Sequence, residues 1–500
     1  MMGPDIILAA QIRLNDALLD PVTAADKLRP YAGRKAIMPK TTAVSSLLLS
    51  LLLLVALAMP GEATSPPLSL VPEASAQADA FAQAEAHCPP LPAPTGNVIH
   101  VDPSQASALG SIVQSAAAGD TIVLADGTYD LHGTYLWFGT PGVTLRSASG
   151  NREAVILDGN YETTEIGHIA ASNVTIADLT LRRAYYHPIH VASTSDADVL
   201  NTLIYNLHIV DPGQQAVKIN PGAAGHYPDD GVIACSHIEL TDAGRPYIWD
   251  INGSCYTGGV DAHQARGWVI RDNLIEGFWC PTGLSEHGIH LWRGCRDTVV
   301  ERNILRENAR GIGFGLATSG QARTYPDDPC PSAGGGYVDH YGGIIRNNFV
   351  FASRSELFES QYGFDCGVCL WQACGAQVLH NTVASMQPPF SSIEWRFDHT
   401  DVDIVNNLAT HRLRDRGGTA RLSGNLEYQP LSLFVDGPGG DLHLVATATA
   451  AIDRGVSLAA GLCDDDIDGD TRPIGPARDV GADESRWDVY LPLVTKDASK

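Results

Sequence analysis

Several things are scarce in this chain of 500 residues, and each scarcity excludes something. Only 18% of the residues are charged, and 33 basic residues face 57 acidic ones for a formal charge of −24. A lysine and arginine deficit of that size excludes a nucleic-acid-binding surface. It does not exclude an anionic sugar, because a local basic site or a bound calcium ion overrides the mean field. Apolar runs of membrane-spanning length are missing: "SLLLSLLLLVALA" at 46–58 has the length of a signal-peptide core and is too short to span. Helical periodicity is weak. Cys366-x-x-Cys369 has no second pair at zinc-finger spacing, which argues against a structural zinc site.

What is abundant points the other way. Glycine (49) and proline (30) imply many turns, and a hydrophobic content of 44% is ample for a core, although length alone does not settle the number of domains. Arg34, Lys35 and Lys40 supply the positive flank of the apolar run, and Ala56-x-Ala58 and Ala74-x-Ala76 offer cleavage sites. Residues 1–59 therefore read as a leader with a signal peptide, Met38 being the preferred start, and 60–95 as a disordered Pro/Ala-rich linker. The expected location is secreted or cell-surface. In that setting the even count of ten cysteines reads first as disulfides, whose pairing the sequence leaves open.

From residue 96 short apolar strands alternate with Gly, Asn and Asp. One pattern recurs: an alternating strand, a turn, a second apolar strand and a terminal Asn, Asp or His. It appears in "VDAHQARGWVIRDN", "IHLWRGCRDTVVERN", "VCLWQACGAQVLHN" and "IEWRFDHTDVDIVNN". The terminal positions are Asp178, Asn206, His237, Asn273, Asn303, Asn348, Asn381 and Asn407, spaced 26 to 45 residues apart. An irregular period of this size built on strands is a solenoid signature. Asparagines stacked at equivalent turns satisfy one another as a buried ladder. The long spacings place excursions at 221–230 and 317–340.

These residues, with "GDTIVLADGTY" at 119–129, resemble the pectate-lyase-like right-handed parallel β-helix proteins over roughly 97–430. The resemblance implies an all-β fold, a right-handed parallel β-helix solenoid over 96–436 with a small C-terminal cap or anchor-like segment at 437–486 and a tail at 487–500. It does not fix an activity, since the fold hosts lyases, hydrolases, epimerases and adhesins. Within the cap, Asp464, Asp466 and Asp468 copy the first half of a calcium loop whose twelfth position is Gly475 instead of Glu. No cofactor is expected to be essential; calcium at those aspartates is the candidate ion.

Register locates a candidate site. If Ile189, Val217, Val260, Ile289, Ile312, Val368 and Ile393 point inward, the next residues form an outward column of His190, Lys218, Asp261, His290, Gly313, Cys369 and Glu394. Two positions along lie Ala192, Asn220, His263, Trp292, Gly315, Trp371 and Arg396. Lys218, Asp261, His263 and His290 are the candidate catalytic groups. Asn220, Trp292, Trp371, Glu394 and Arg396 are candidate substrate contacts, with the tryptophans exposed to stack sugar rings.

The Lys on one coil and Asp-x-His on the next also resemble the mannuronan C-5 epimerases and related alginate-acting enzymes. Asp261-Ala262-His263-Gln264 matches the Asp and His of their Asp-Pro-His-(Asp/Glu) signature. The family's Tyr position is here Gly258, with Tyr256 the nearest substitute. The leading expectation is a lyase or C5-epimerase acting on uronate units of an extracellular anionic polysaccharide as a monomer. Two alternatives stay open. A glycoside hydrolase would pair Asp261 with Glu286, and a non-catalytic adhesin would use the same face for binding. His287, His340 and His399 read as surface or turn histidines. Arg271, Arg302 and Arg346 read as lining another solvent face.

Overall fold

A strand of three to six residues cannot bury both ends of its apolar pattern alone, so the repeat has to stack. The computed structural model describes residues 88–222 and 225–486, within one unit spanning Val71–Lys500. The expected leader, the first part of the linker and the 487–500 tail lie outside the described residues.

Each coil contributes one strand to each of three long parallel sheets, one of fourteen strands and two of ten. The chain winds as a right-handed parallel β-helix. In the fourteen-stranded sheet Ile176, Ile204, Ile233, Ile270, Val300, Ile345, Val378 and Ile404 are successive register partners, and every one is at most 1% exposed. β-Branched residues suit this pleated, fully buried position, and each stabilises by roughly 1.5–3 kcal/mol relative to exposure. At the N-terminal end a short helix, Leu109–Ser115, lays Leu109 and Val113 into the same core.

The corner between the fourteen-stranded sheet and the next holds the polar ladder. Asn273, Asn303, Asn348, Asn381, Asn407 and Asn425 pass side-chain hydrogen bonds from coil to coil at 2.9–3.0 Å. In the earlier coils the expected rungs fall one residue off. Asp178 and Asn206 precede the ladder position, sharing a left-handed corner with Cys235, Asp272, Arg302, Asn347, His380 and Asn406 (φ 49–60°). The rung before Asn273 is Ser236, whose amide donates to Asn273 Oδ1 at 2.9 Å, while His237 begins the following strand. Two adjacent polar columns run through this corner, and sequence spacing alone does not separate them.

Two boundaries differ from expectation. Residues 88–95 are tied to the coils: Cys88 is disulfide-bonded to Cys235, and the carbonyls of Pro89 and Pro92 accept from Tyr205 Oη and Arg146 Nη1. The C-terminal segment starts earlier than 437, since Phe434–Asp436 pairs antiparallel with Asp441–Leu444. It packs along the flank of the solenoid, burying Phe434, Leu442, Ile452 and Val480 with Phe349, Phe351 and Leu408. Arg302 and Arg346, expected at a solvent face, clasp it instead: Arg302 meets Asp465 at 2.7 Å and Arg346 donates to the Leu462 carbonyl.

The excursions fall where the long spacings placed them, after Asn220 and after Phe314. A further insertion carries the helix Arg245–Asn252, with Pro246 in its first turn and Gly253 closing it at φ 65°. Arg245 anchors it by donating to the carbonyls of Gly277 and Trp279, both at 2.6 Å. This helix stands beside the entry ends of the strands that carry the candidate site, where Asn252 donates to the Gly213 carbonyl. Among the described residues no helix is long and apolar enough to cross a membrane.

Candidate active site

The inward residues from Ile189 to Ile393 are register partners as read from the sequence, so the outward column is too. It runs from Trp137 through His168, His190, Lys218, Asp261, His290, Gly313, Cys369 and Glu394 to Arg414. His263 and Trp292 are partners in the second column.

Lys218, Asp261 and His263 close a triangle. Lys218 Nζ is ion-paired with Asp261 Oδ2, and His263 Nε2 lies 3.1 Å from Nζ and 3.2 Å from Oδ2. The other Asp261 oxygen accepts from Trp292 Nε1 at 2.8 Å. Burial works against the Asp261 charge, but Lys218 and then His263 outweigh it and hold the carboxyl well below its usual range. Lys218 is likewise buried against its charge, and Asp261 reverses that, so the ammonium titrates above its ordinary value. Burial first, and the Lys218 charge second, lower His263 to about 4, leaving the imidazole neutral at pH 7.

His290 lies behind the triangle with no exposed surface. Its Nδ1 faces Glu286 Oε2 at 3.2 Å and Asp261 Oδ1 at 3.6 Å, without hydrogen-bond alignment to either. Glu286 therefore does approach Asp261, the two carboxyls facing the same imidazole nitrogen. Tyr256 stands close enough to feel Lys218, Asp261 and Glu286, and burial raises its phenol, which stays protonated.

The expectation of an open sugar-stacking face is corrected. Trp292 is 9% exposed and Trp371 only 1%. Trp292 holds Asp261, stacks parallel to His290 at 5.3 Å and carries the Arg293 guanidinium on its ring. Trp371 donates to Glu394 Oε1 at 2.6 Å and lies under Arg310. Glu394 is fully buried, bound also by Ser391 and Arg416, so it anchors Trp371 and does not form a subsite. Arg396 turns onto the Phe397 ring. Asn220 sits at the rim, its amide oxygen 2.6 Å from His190 Nε2. Lys218 and His263 are 5% and 6% exposed, against 2% for Asp261.

One residue of this cluster was missed. His287, expected at the surface, is fully buried with neither ring nitrogen hydrogen-bonded, its rings centred 4.3 Å from His290 and 5.6 Å from Trp371. A Cβ at Gly313 would meet its ring at 2.6 Å, so the glycine in the outward column is the space His287 fills. A lone Gly in that column was the available signal. His340 is buried as well, stacked on Phe314 at 3.8 Å.

The calcium-loop aspartates turn to separate partners. Asp464 meets Arg478 at 3.0 Å, Asp466 accepts the amides of Asp468, Asp470 and Glu484, and Asp468 faces His443. Their carboxylates do not converge as a calcium shell requires. Other His, Cys and acidic groups do converge: His287 with Cys366 and Cys369, Glu286 with His287 and His290, His208 with His237 and Glu239, His443 with Asp468 and Asp483, and Glu165 with His168 and His190. Cys366 and Cys369 are disulfide-bonded to each other, which withdraws their sulfurs as thiolate ligands.

No protein-family model matches the chain, and no curated protein matches it. Among solved structures it is similar to pectate lyase Pel9A, with 15% identity, coverage of 82% of this chain and 100% of that one, and a TM-score of 0.53. That likeness shows the fold: the parallel β-helix of a pectate lyase. Looser similarities reach an alginate lyase from Paenibacillus sp. str. FPU-7 (18% identity, 65% of this chain and 97% of that one, TM-score 0.41) and the A-module of the Azotobacter vinelandii mannuronan C-5 epimerase AlgE6 (13%, 65% and 95%, 0.39).

Proposed function

We propose that this protein is a secreted polysaccharide-active enzyme that removes the C5 proton of uronate units, as a lyase or an epimerase. The observation that carries the reading is the Lys218–Asp261–His263 triangle, in which a neutral imidazole touches a buried ammonium. A uronate carboxylate draws the Lys218 ammonium to itself, which frees His263 Nε2. That nitrogen then takes the C5 proton while Lys218 stabilises the charge that develops on the carboxylate. Asp261 keeps Lys218 protonated and both groups in place. Tyr256, protonated, is the candidate acid for either outcome: it protonates the departing C4 oxygen in a lyase, or C5 from the opposite face in an epimerase. His290, Glu286 and Trp292 are positioning residues. Four disulfides suit the oxidising compartment that a secreted enzyme occupies.

A panel of alginate, pectate and glycosaminoglycans tests this. Ultraviolet absorbance reads an unsaturated product and NMR reads inverted C5. The expected result is turnover on one of them, falling at least about 100-fold in Lys218→Ala and in His263→Ala. Reducing ends without unsaturation would favour the hydrolase. Binding without any turnover would favour the adhesin, and silence across the panel would sink the proposal.

A further inference from the structure

Three strands from the N-terminal part of the site-bearing sheet carry a second cluster. Glu165 Oε2 lies 2.7 Å from His168 Nδ1, and Glu165 Oε1 lies 2.8 Å from His190 Nδ1. All three side chains are 15–18% exposed, so an ion reaches them without the chain opening. Trp137 stacks on the His168 ring at 4.4 Å and 12°, fixing its plane.

The hydrogen-bond chemistry of this trio is unbalanced. Asn220 donates its Nδ2 to the Pro221 carbonyl, which turns its Oδ1 to His190 Nε2 at 2.6 Å. An amide oxygen only accepts, so His190 Nε2 carries a proton. A neutral His190 then points the bare lone pair of Nδ1 at a carboxylate. A positive centre between the two groups, a proton or a metal ion, resolves that contact.

On the adjacent sheet His208 lies between Glu153 and Glu239, and His237 meets Glu276. Here two imidazoles converge on one carboxylate, with an amide holding the outer nitrogen of one of them. That outer hydrogen bond is the arrangement that orients a metal-ligating histidine.

We propose that Glu165, His168 and His190 form a site for a divalent transition metal of the zinc type, with Asn220 as the orienting partner of His190. Two imidazoles and one carboxylate are the donor set of an open zinc site, which leaves a fourth position for water or a ligand oxygen. Tetrahedral zinc bonds place neighbouring donor atoms about 3.3 Å apart, and one ligand atom from each of the three residues already lies within 4.8 Å of the other two. A metal ion on Nδ1 takes the place of any proton there and leaves the Asn220 contact intact. His190 is the register partner of Lys218, so the strand that carries this ligand lies about one strand spacing, 4.8 Å, from the strand that carries the ammonium. The metal's open position takes a sugar carboxylate or hydroxyl oxygen next to the unit held at Lys218, a step that rests on the reading of the Lys218 site.

The test uses the full chain, stripped with chelator and titrated with Co2+ and Zn2+ in the absence of any sugar. One Co2+ per chain with the intense visible bands of a four- or five-coordinate ion is expected, displaced by Zn2+. His168→Ala and His190→Ala lose the bands, Asn220→Ala weakens binding 10- to 100-fold, and His237→Ala leaves it unchanged. A faint octahedral spectrum, or the absence of stoichiometric binding to the unmodified chain, overturns the proposal before any variant is made. Retention of the bands in His168→Ala and His190→Ala, or their loss in His237→Ala, overturns it as well. Because no sugar is present, a silent polysaccharide panel leaves this result standing, and failure here leaves the panel result standing.

Discussion

His263 is where burial and the Lys218 charge act on one side chain in the same direction and outweigh Asp261. With the imidazole lowered to about 4, the proposed base is neutral throughout the neutral range. The acid limb of kcat/KM is expected near pH 4 and not at the ordinary histidine value. In Lys218→Ala the positive neighbour is gone while burial remains, so the His263 titration followed by NMR should move upward. An unmoved titration would mean that Lys218 does not act on it. The alternation of "VDAH" was enough to point Asp261 and His263 outward, because Val260 and Ala262 had to point in. The sequence did not reveal that those outward residues are covered. Trp292 reads as an exposed ring until its Nε1 is seen bound to Asp261, and His287 reads as a turn residue until Gly313 is seen as its cavity.

Among elements, the asparagine ladder is the most sharply testable. Asn303 is fully buried; its amide donates to Asn348 and to the Ile270 carbonyl, and its oxygen accepts from Asn273. Asn303→Ala strands both neighbouring rungs and is expected to cost about 2–4 kcal/mol in chemical denaturation. Asn425→Ala, at the half-buried last rung, should cost less than half of that. The His208 row on the adjacent sheet is a pH element. Burial disfavours its charge, but Glu153 and Glu239 on its two nitrogens win and raise it to about 9, and His208 in turn holds Glu153 near 2. A raised histidine contributes fully below 6.5 and loses that contribution as pH climbs through about 9. The lowered Glu153 contributes above its ordinary 4.5 and loses that only as pH falls through about 2. The melting temperature should therefore decline between pH 6.5 and 9, modestly because the Glu153 side chain is 55% exposed, and His208→Gln should flatten that decline. The ladder was legible from Asn273 onward because one residue type recurs at one corner. It misled in the earlier coils, where the left-handed corner also favours Asp and Asn.

For the whole molecule, strand-sized repeats and turn residues were sufficient to read a parallel β-helix, since few other architectures bury such a pattern. The C-terminal segment was not legible in that way: it lacks the repeat, and its place is set by contacts with residues more than 100 positions away, such as Arg346 and Asn347. Cys88–Cys235 closes a loop with a sequence separation of 147, so Cys88→Ser should lower stability by as much as about 5 kcal/mol in the loop-entropy model. Cys295 and Cys463 are buried free thiols, so thiol reagents should find two groups per chain after unfolding and none before. The flank position of the last segment also bears on the order in which the molecule is made. As the polypeptide leaves the ribosome, or threads outward through an export channel, each new coil can settle on the one before it. Phe349, Phe351 and Leu408 stay bare until residues 434–482 arrive, and through that interval the nascent coils carry an uncovered apolar strip.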